Sequence, residues 1–117
     1  MTSQAPAAAQ SGEHPIELHV DLTVHPSRER EMLDNFHNVF RPAASKQPGY
    51  IEVKLLKLRS SLAGAAPQDT NYRFVLVFEN EELRQQWVAT PVHQEVWPAI
   101  ANTLAHENYT ILLYDTP

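Results

Sequence analysis

The stretch YRFVLVFENEELRQQWVATPVHQEVW, residues 72–97, decides the fold because it leads from one strand into two helices. Its first seven residues are mostly apolar at both odd and even positions, which is typical of a central strand packed on both faces. Asn80 then predicts the N-cap of a helix that runs through Trp87. Thr90 and Pro91 interrupt this helix, because proline lacks a backbone N–H, and they supply a new cap and a new first residue.

Three further segments predict strands from their pattern of apolar residues. IELHVDLTV, residues 16–24, has the period of two expected of a strand with one face on a core. YIEVKLLKLR, residues 50–59, alternates in the same way, with a slip at Leu55 and Leu56 that predicts a bulge. NYTILLYD, residues 108–115, closes the chain as the fourth strand.

Residues 28–44 predict the first helix, since apolar side chains recur every three or four positions along one face. Ser27 is its predicted N-cap, and Pro42 is expected to tighten or kink its last turn. Polar side chains on the other faces, His37 among them, are expected to be solvated. In the turn that follows, Gly49 is free to adopt a positive φ.

The resulting order, β-α-β-β-α-β, predicts a ferredoxin-like α+β fold with a four-stranded antiparallel sheet and both helices on one face. Strands three and four are apolar on both sides, so the helix-free face is expected to expose an apolar patch. We therefore expect a homodimer that packs sheet against sheet around a twofold axis. The domain is expected to span residues 15–117, behind a disordered tail at 1–14 that has little apolar surface to bury.

Composition narrows the classes of function. The 117 residues suit one domain, and the formal net charge of −5 argues against nucleic acid or an anionic membrane as a partner. The sequence has no cysteine, which excludes disulfides and thiolate chemistry. It has no apolar run near the roughly 20 residues that span a bilayer and no signal-peptide pattern, so we expect a cytoplasmic protein.

Several segments together resemble one family. The element order, TVHPSRERE (23–31), QPGYIEVKLL (47–56) and the stretch 72–97 resemble the antibiotic biosynthesis monooxygenase (ABM) domain of the dimeric α+β barrel superfamily, over residues 16–115. The resemblance implies a homodimer whose two sheets form a dimeric α+β barrel, with a cavity between sheet and helices in each subunit. It also implies a choice of activities: oxygenases that act on polycyclic phenols or quinols without a cofactor, haem-degrading enzymes, isomerases or degraders of small signalling molecules, and members without a demonstrated reaction.

One imidazole and several aromatic side chains form the candidate site. His93 is the candidate general base, because an imidazole titrates near neutrality and can take a proton from a phenolic substrate, which then meets O₂ without a metal. The candidate lining of a pocket for a small aromatic or quinol-like substrate is Trp87, Trp97, Tyr72, Phe74, Phe78 and Phe36. The alternative is that these aromatic residues are core and that His93 caps or hydrogen-bonds its helix.

Metal and haem sites are disfavoured by the sequence. His19 and Asp21 share a strand face and could bind a divalent metal, but two ligands do not make a site, and a polar seam or solvated face explains them. In the haem-degrading branch the resemblance implies an Asn on the first strand and a His about ten residues after Trp87, where this chain has Trp97. We therefore expect no metal and no bound cofactor. The rival to the oxygenase is a non-catalytic dimeric barrel that binds a small hydrophobic ligand or serves a stress or regulatory role.

Overall fold

Four antiparallel strands form one sheet in the computed structural model, which describes residues 14–66 and 69–117. The strand order across the sheet is β2-β3-β1-β4. The strands are β1 (Ile16–Leu22), β2 (Tyr50–Lys57), β3 (Tyr72–Phe78) and β4 (Thr110–Asp115), and the helices are α1 (Glu29–Asn35), α2 (Arg41–Ser45), α3 (Glu81–Val88) and α4 (Pro91–Ala101). This arrangement confirms the predicted ferredoxin-like α+β fold. The expected tail at 1–14 lies outside the described residues except for His14.

The core lies between the helices and the central strands β1 and β3. Register pairs Val20 of β1 with Phe74 of β3, and Leu22 with Tyr72, so these side chains point to the same face. All four are buried, and β3 is buried on both faces along nearly its whole length, as its sequence predicts. Burying apolar surface against the helices is the main stabilising contribution here, at roughly 25 cal/mol per Å².

The first helix is continuous from Glu29 to Ser45 but contains a wider turn. A π-helical segment, Phe36–Phe40, joins α1 to α2, and the N–H of Arg41 bonds to the carbonyl of Phe36, five residues earlier. Pro42 follows directly and has no N–H to give to the carbonyl four residues before it, which favours a non-α turn at this place. We call α1, the π segment and α2 together the long helix.

Ser27 is not the N-cap of the long helix, because that position is held by Arg28, whose side chain forms no capping hydrogen bond. Ser27 belongs to a short 3₁₀ turn, Pro26–Arg28, and the cap of that turn is His25, whose Nδ1 accepts the N–H of Ser27 at 3.1 Å. By contrast, both caps predicted in the second half are confirmed. The side chain of Asn80 accepts from the N–H of Leu83, and that of Thr90 accepts from the N–H of His93.

The predicted bulge in β2 is also misplaced. Leu55 and Leu56 pair regularly with β3, and the register shift falls between Tyr50 and Glu52 instead. It follows the turn at Gly49, which has a φ of +86° as the turn requires. The carbonyl of Gly49 accepts the N–H of Glu79 at 2.8 Å, which fixes the start of β2 beside the end of β3.

The helix-free face of the sheet is open. Leu56 of β2 and the pair Leu112 and Tyr114 of β4 lie there and are exposed. Val75 and Val77 lie on the same face but are buried within the single chain, so the apolar patch is smaller than the sequence suggests. Within the described residues, no helix is long and apolar enough to span a bilayer.

Candidate functional site

A cavity of about 340 Å³ opens between the long helix and the sheet edge formed by β2 and β3. Its volume lies at the small end of the range typical of ligand sites, about 300–1,000 Å³. Both walls combine apolar and cationic groups. We call this cavity the basic cleft; its lining is Leu33, Phe36, His37 and Arg41 from the long helix and Lys54, Leu55, Lys57 and Tyr72 from the sheet.

Apart from Phe36, the helical wall follows one stripe of side chains four residues apart. Glu29, Leu33, His37 and Arg41 follow this spacing, which places neighbours on one helix face. In a uniform α-helix Arg41 would lie about 120° around the axis from Glu29, because each residue turns about 100°. The π segment takes up one extra residue and offsets most of that angle. The wider turn therefore keeps Arg41 on the side that faces the sheet.

Three polar side chains form a cluster at one end of the cleft. The carboxylate of Glu29 accepts the hydroxyl of Tyr72, and its Oε2 lies 2.7 Å from Nζ of Lys57. Hydrogen bonds from Lys57 and Tyr72 lower the pKa of Glu29. Burial and the hydrogen bond to Glu29 raise the pKa of Tyr72 well above its ordinary value. Tyr72 therefore stays protonated, and its phenol is a donor rather than a base.

A second cavity, of about 630 Å³, adjoins the cleft under the segment that connects β2 to β3. Leu62 of that segment and the ion pair of Asp21 with Arg73 contribute to its lining. Lys57 and Tyr72 line both cavities, so the Glu29 cluster lies at their boundary.

The aromatic residues predicted to line a pocket pack mainly against one another. The ring of Phe74 meets those of Phe36, Phe40 and Trp97 edge-on, with centroids 5.8, 4.9 and 5.9 Å apart. Of the six candidates, only Phe36 and Tyr72 line the basic cleft. Trp87 and Phe78 are fully buried, and Trp97 is partly buried against the same core.

His93 lies beside Trp87 and outside both cavities described above. The two rings meet edge-on with centroids 5.0 Å apart, and the imidazole is half-buried. Burial, followed by the positive charge of Arg84, lowers the pKa of His93, so the neutral imidazole predominates near neutrality. The N–H of His93, not its ring, is the group bound by Thr90. Nε1 of Trp87 is buried and has no hydrogen-bond partner in the described structure.

The two candidate metal ligands on β1 are each paired with another residue. Nε2 of His19 lies 3.0 Å from Glu17, and Asp21 forms two hydrogen bonds with Arg73, at 2.7 and 3.2 Å. Among the described residues, no three potential ligands converge on a metal position. These pairs agree with the polar seam that the sequence offers as the alternative.

Sequence reasoning did not single out the residues that line the cleft. It predicts that His37 is solvated, and the structure confirms that His37 is exposed. It gives no role to Arg41 or Lys57. The available signal is the four-residue spacing of Glu29, Leu33, His37 and Arg41, a stripe in which Leu33 is the one apolar residue.

Comparison with known proteins agrees with this fold. SnoaB, a cofactor-independent oxygenase from Streptomyces nogalater, superimposes with a TM-score of 0.70 at 17% identity, over 89% of this chain and 94% of SnoaB. A Caulobacter crescentus protein, provisionally described as an antibiotic biosynthesis monooxygenase, gives 0.70 at 16% identity, over 93% of this chain and 95% of its own. A conserved protein from Methanosarcina mazei superimposes with a TM-score of 0.70 at 15% identity, over 93% of this chain and 99% of its own. At such identities the likeness concerns the fold.

No curated protein matches the sequence. The sequence model of one family does match, and it covers residues 15–98, which is most of the described domain and leaves out only β4 and the last three residues of α4 among its elements. Its description is antibiotic biosynthesis monooxygenase, in agreement with the resemblance found in the sequence. The chain therefore belongs to the antibiotic biosynthesis monooxygenase family.

Proposed function

We propose that this protein is a cofactor-independent monooxygenase that oxidises a small aromatic or quinol-like substrate in the basic cleft. The observation that carries the proposal is an open cavity with an imidazole, His37, in the same wall as the apolar Leu33 and Phe36. Such a wall accommodates an aromatic ring and places a base beside its hydroxyl group. Family membership and the SnoaB-like fold support this class of reaction.

The proposed oxidation requires a base that removes a proton from the substrate, and it does not require a metal. Removing a proton from a phenol leaves an electron-rich anion that can pass electrons to O₂. One oxygen atom then enters the product, and the other leaves as water with two hydrogens taken from the substrate. The substrate is thus the reductant, and the protein must bind it, orient it and accept a proton.

Two imidazoles compete for the role of base. His37 lines the cleft, whereas His93, the candidate from the sequence, packs against Trp87 with its neutral form favoured. We assign the proton transfer to His37 because a base must come within hydrogen-bond reach of its substrate. His93 is retained as the competing candidate and is tested in the same experiment.

Oxygen uptake with a panel of naphthols and naphthalenediols tests the reaction and the base together. We expect uptake above the protein-free rate and, with isotope-labelled O₂, one labelled oxygen atom in the product. His37→Gln is expected to lower the rate by roughly 10²–10⁴-fold, the usual contribution of general base catalysis. His93→Gln is the matched imidazole control and is expected to retain most of the rate. The reverse pattern would assign the base to His93, and no uptake with any compound would count against an oxygenase.

We further propose that the protein works as a homodimer joined through the helix-free faces. Leu112 and Tyr114 on β4 and Leu56 at the opposite edge of the sheet support this, since soluble monomers seldom leave several large apolar residues uncovered on one sheet face. The pairs Glu17–His19 and Asp21–Arg73 would then lie at the interface. The cytoplasmic location expected from the sequence stays a prediction.

A charge placed on the helix-free face tests the dimer. Light scattering of the native protein is expected to give twice the chain mass of 13.3 kDa. Leu112→Asp is expected to give single chains, because an interface must not bury an unpaired carboxylate. The control is Val92→Asp, which puts the same charge at an exposed position near the start of α4 and should leave the dimer intact. A native protein that stays a single chain at high concentration would rule the dimer out.

A second candidate function follows from the packing around His93. The aromatic residues there fill the core and leave Trp87 fully buried. This favours the non-catalytic alternative, in which the protein binds a small hydrophobic ligand without transforming it. Binding to the cleft in the absence of any oxygen uptake would be its signature.

A further inference from the structure

The basic cleft is positively charged although the protein is acidic. Its lining includes three cationic residues, Arg41, Lys54 and Lys57, and no carboxylate, while the whole chain has a net charge of −5. The cluster of positive charge therefore does not follow from the average composition. Locally concentrated charge in a cleft attracts ligands of the opposite sign.

The charges on the two walls are not equivalent. Lys57 is held by Glu29, 2.7 Å away, so much of its charge is compensated. Arg41 forms no ion pair with any carboxylate in the part of the chain that the structure describes, and it is exposed at the end of the helical stripe. Lys54 pairs with Val75 in the sheet, so its side chain starts on the helix-free face. The guanidinium of Arg41 is thus the uncompensated cation on the helical wall, and this group binds carboxylates through two parallel hydrogen bonds.

The rest of the lining is suited to a flat apolar body. Leu33 and Phe36 form the helical side, and Leu55 and the ring of Tyr72 form the sheet side. The hydroxyl of Tyr72 is already engaged by Glu29. A ligand that fills this space has an aromatic ring between the walls and an anionic group at the Arg41 end.

We propose that the basic cleft selects aromatic carboxylates and that Arg41 is the residue that recognises their anionic group. This inference deepens the proposed function by naming the substrate class, and it rests on that function only for the reaction that follows binding. Binding can be measured without turnover, so the selectivity for aromatic carboxylates and the oxygenase reaction are tested separately. In the reaction, Arg41 would position the ring, with its hydroxyl toward His37.

Calorimetric titration with two probes of the same shape tests the selectivity. The probes are 1-naphthoate, which carries a carboxylate, and 1-naphthamide, which carries a neutral amide in its place. The native protein is expected to bind the carboxylate at least about tenfold more tightly, the effect of one charge-assisted hydrogen bond. Arg41→Gln is expected to bring the two affinities together.

The matched control is Arg30→Gln, which removes the same charge from an exposed position of α1 that lines neither cavity. It should preserve the preference for the carboxylate. Equal binding of both probes by the native protein, failure to bind either, or equal losses in the two variants would overturn the inference. Selective binding without oxygen uptake from hydroxynaphthoates would leave it standing and remove the oxygenase instead.

Discussion

Replacing Phe74 by alanine is expected to lower the free energy of unfolding by about 3–5 kcal/mol. The side chain is only 2% exposed, and its ring is in edge-to-face contact with Phe36, Phe40 and Trp97. Truncation leaves a cavity at the place where the long helix, α4 and the sheet meet, and the surrounding rings can collapse into it only in part. Urea denaturation of the native protein and the variant measures the difference.

Phe74→Ala also distinguishes between a core role and a ligand-binding role for the predicted aromatic site, with Phe74→Leu as the control. Phe74→Leu keeps most of the volume and is expected to cost less than about 1.5 kcal/mol. If Phe74→Ala proves nearly as stable as the native protein but loses affinity for 1-naphthoate, Phe74 binds ligand and the packing interpretation is wrong. A large loss of stability, with 1-naphthoate affinity unchanged under conditions in which the variant is folded, assigns the residue to the core.

Gly49→Ala is expected to destabilise the protein by about 2–4 kcal/mol. Two effects combine at this position. Its φ of +86° disfavours any side chain, and an added Cβ would lie 2.5 Å from Cδ1 and 2.9 Å from Cβ of Leu83. The second distance involves an atom close to the backbone of α3, so the contact cannot be relieved by a side-chain rotation alone. Thermal and urea unfolding would measure the loss.

Gly64→Ala separates the two effects. Gly64 has a similar φ of +73°, but an added Cβ would meet no atom within 4 Å. This variant is expected to cost only the backbone contribution, about 1 kcal/mol. Equal losses in both variants would show that the contact with Leu83 is not restrictive.

The fold was accessible from the sequence because its signals are local. Asn80 and Thr90 cap helices through their own side chains, and Pro91 fixes the start of α4, so none of these depends on distant residues. The start of the long helix was harder to predict, because a 3₁₀ turn precedes it. His25 caps that turn, and Arg28 holds the N-cap position of the helix without a capping hydrogen bond. The bulge in β2 depends on pairing with β3, and alternation within one strand does not fix that register.

The candidate site was less accessible, for two physical reasons. A cluster of aromatic residues has the same sequence pattern whether it lines a cavity or fills a core, because the difference lies in how the rings interlock. The cleft itself depends on the π segment, and an ideal helical period would turn Arg41 away from Glu29. Periodicity therefore separates residues that the structure brings to one wall. It correctly predicts a solvated His37, but solvation alone does not reveal that this residue borders a cleft.

The wider turn at Phe36–Phe40 also has a consequence for how homologous sequences should be aligned. A homologue that lacks one residue here can form a plain α-helix and still present an equivalent cation to its cleft, since the residues on either side stay in phase. An ungapped alignment would then match Arg41 with the wrong neighbour and suggest that the cation had been lost. The gap belongs inside these five residues, and the presence of the cation should be judged only after it has been placed there.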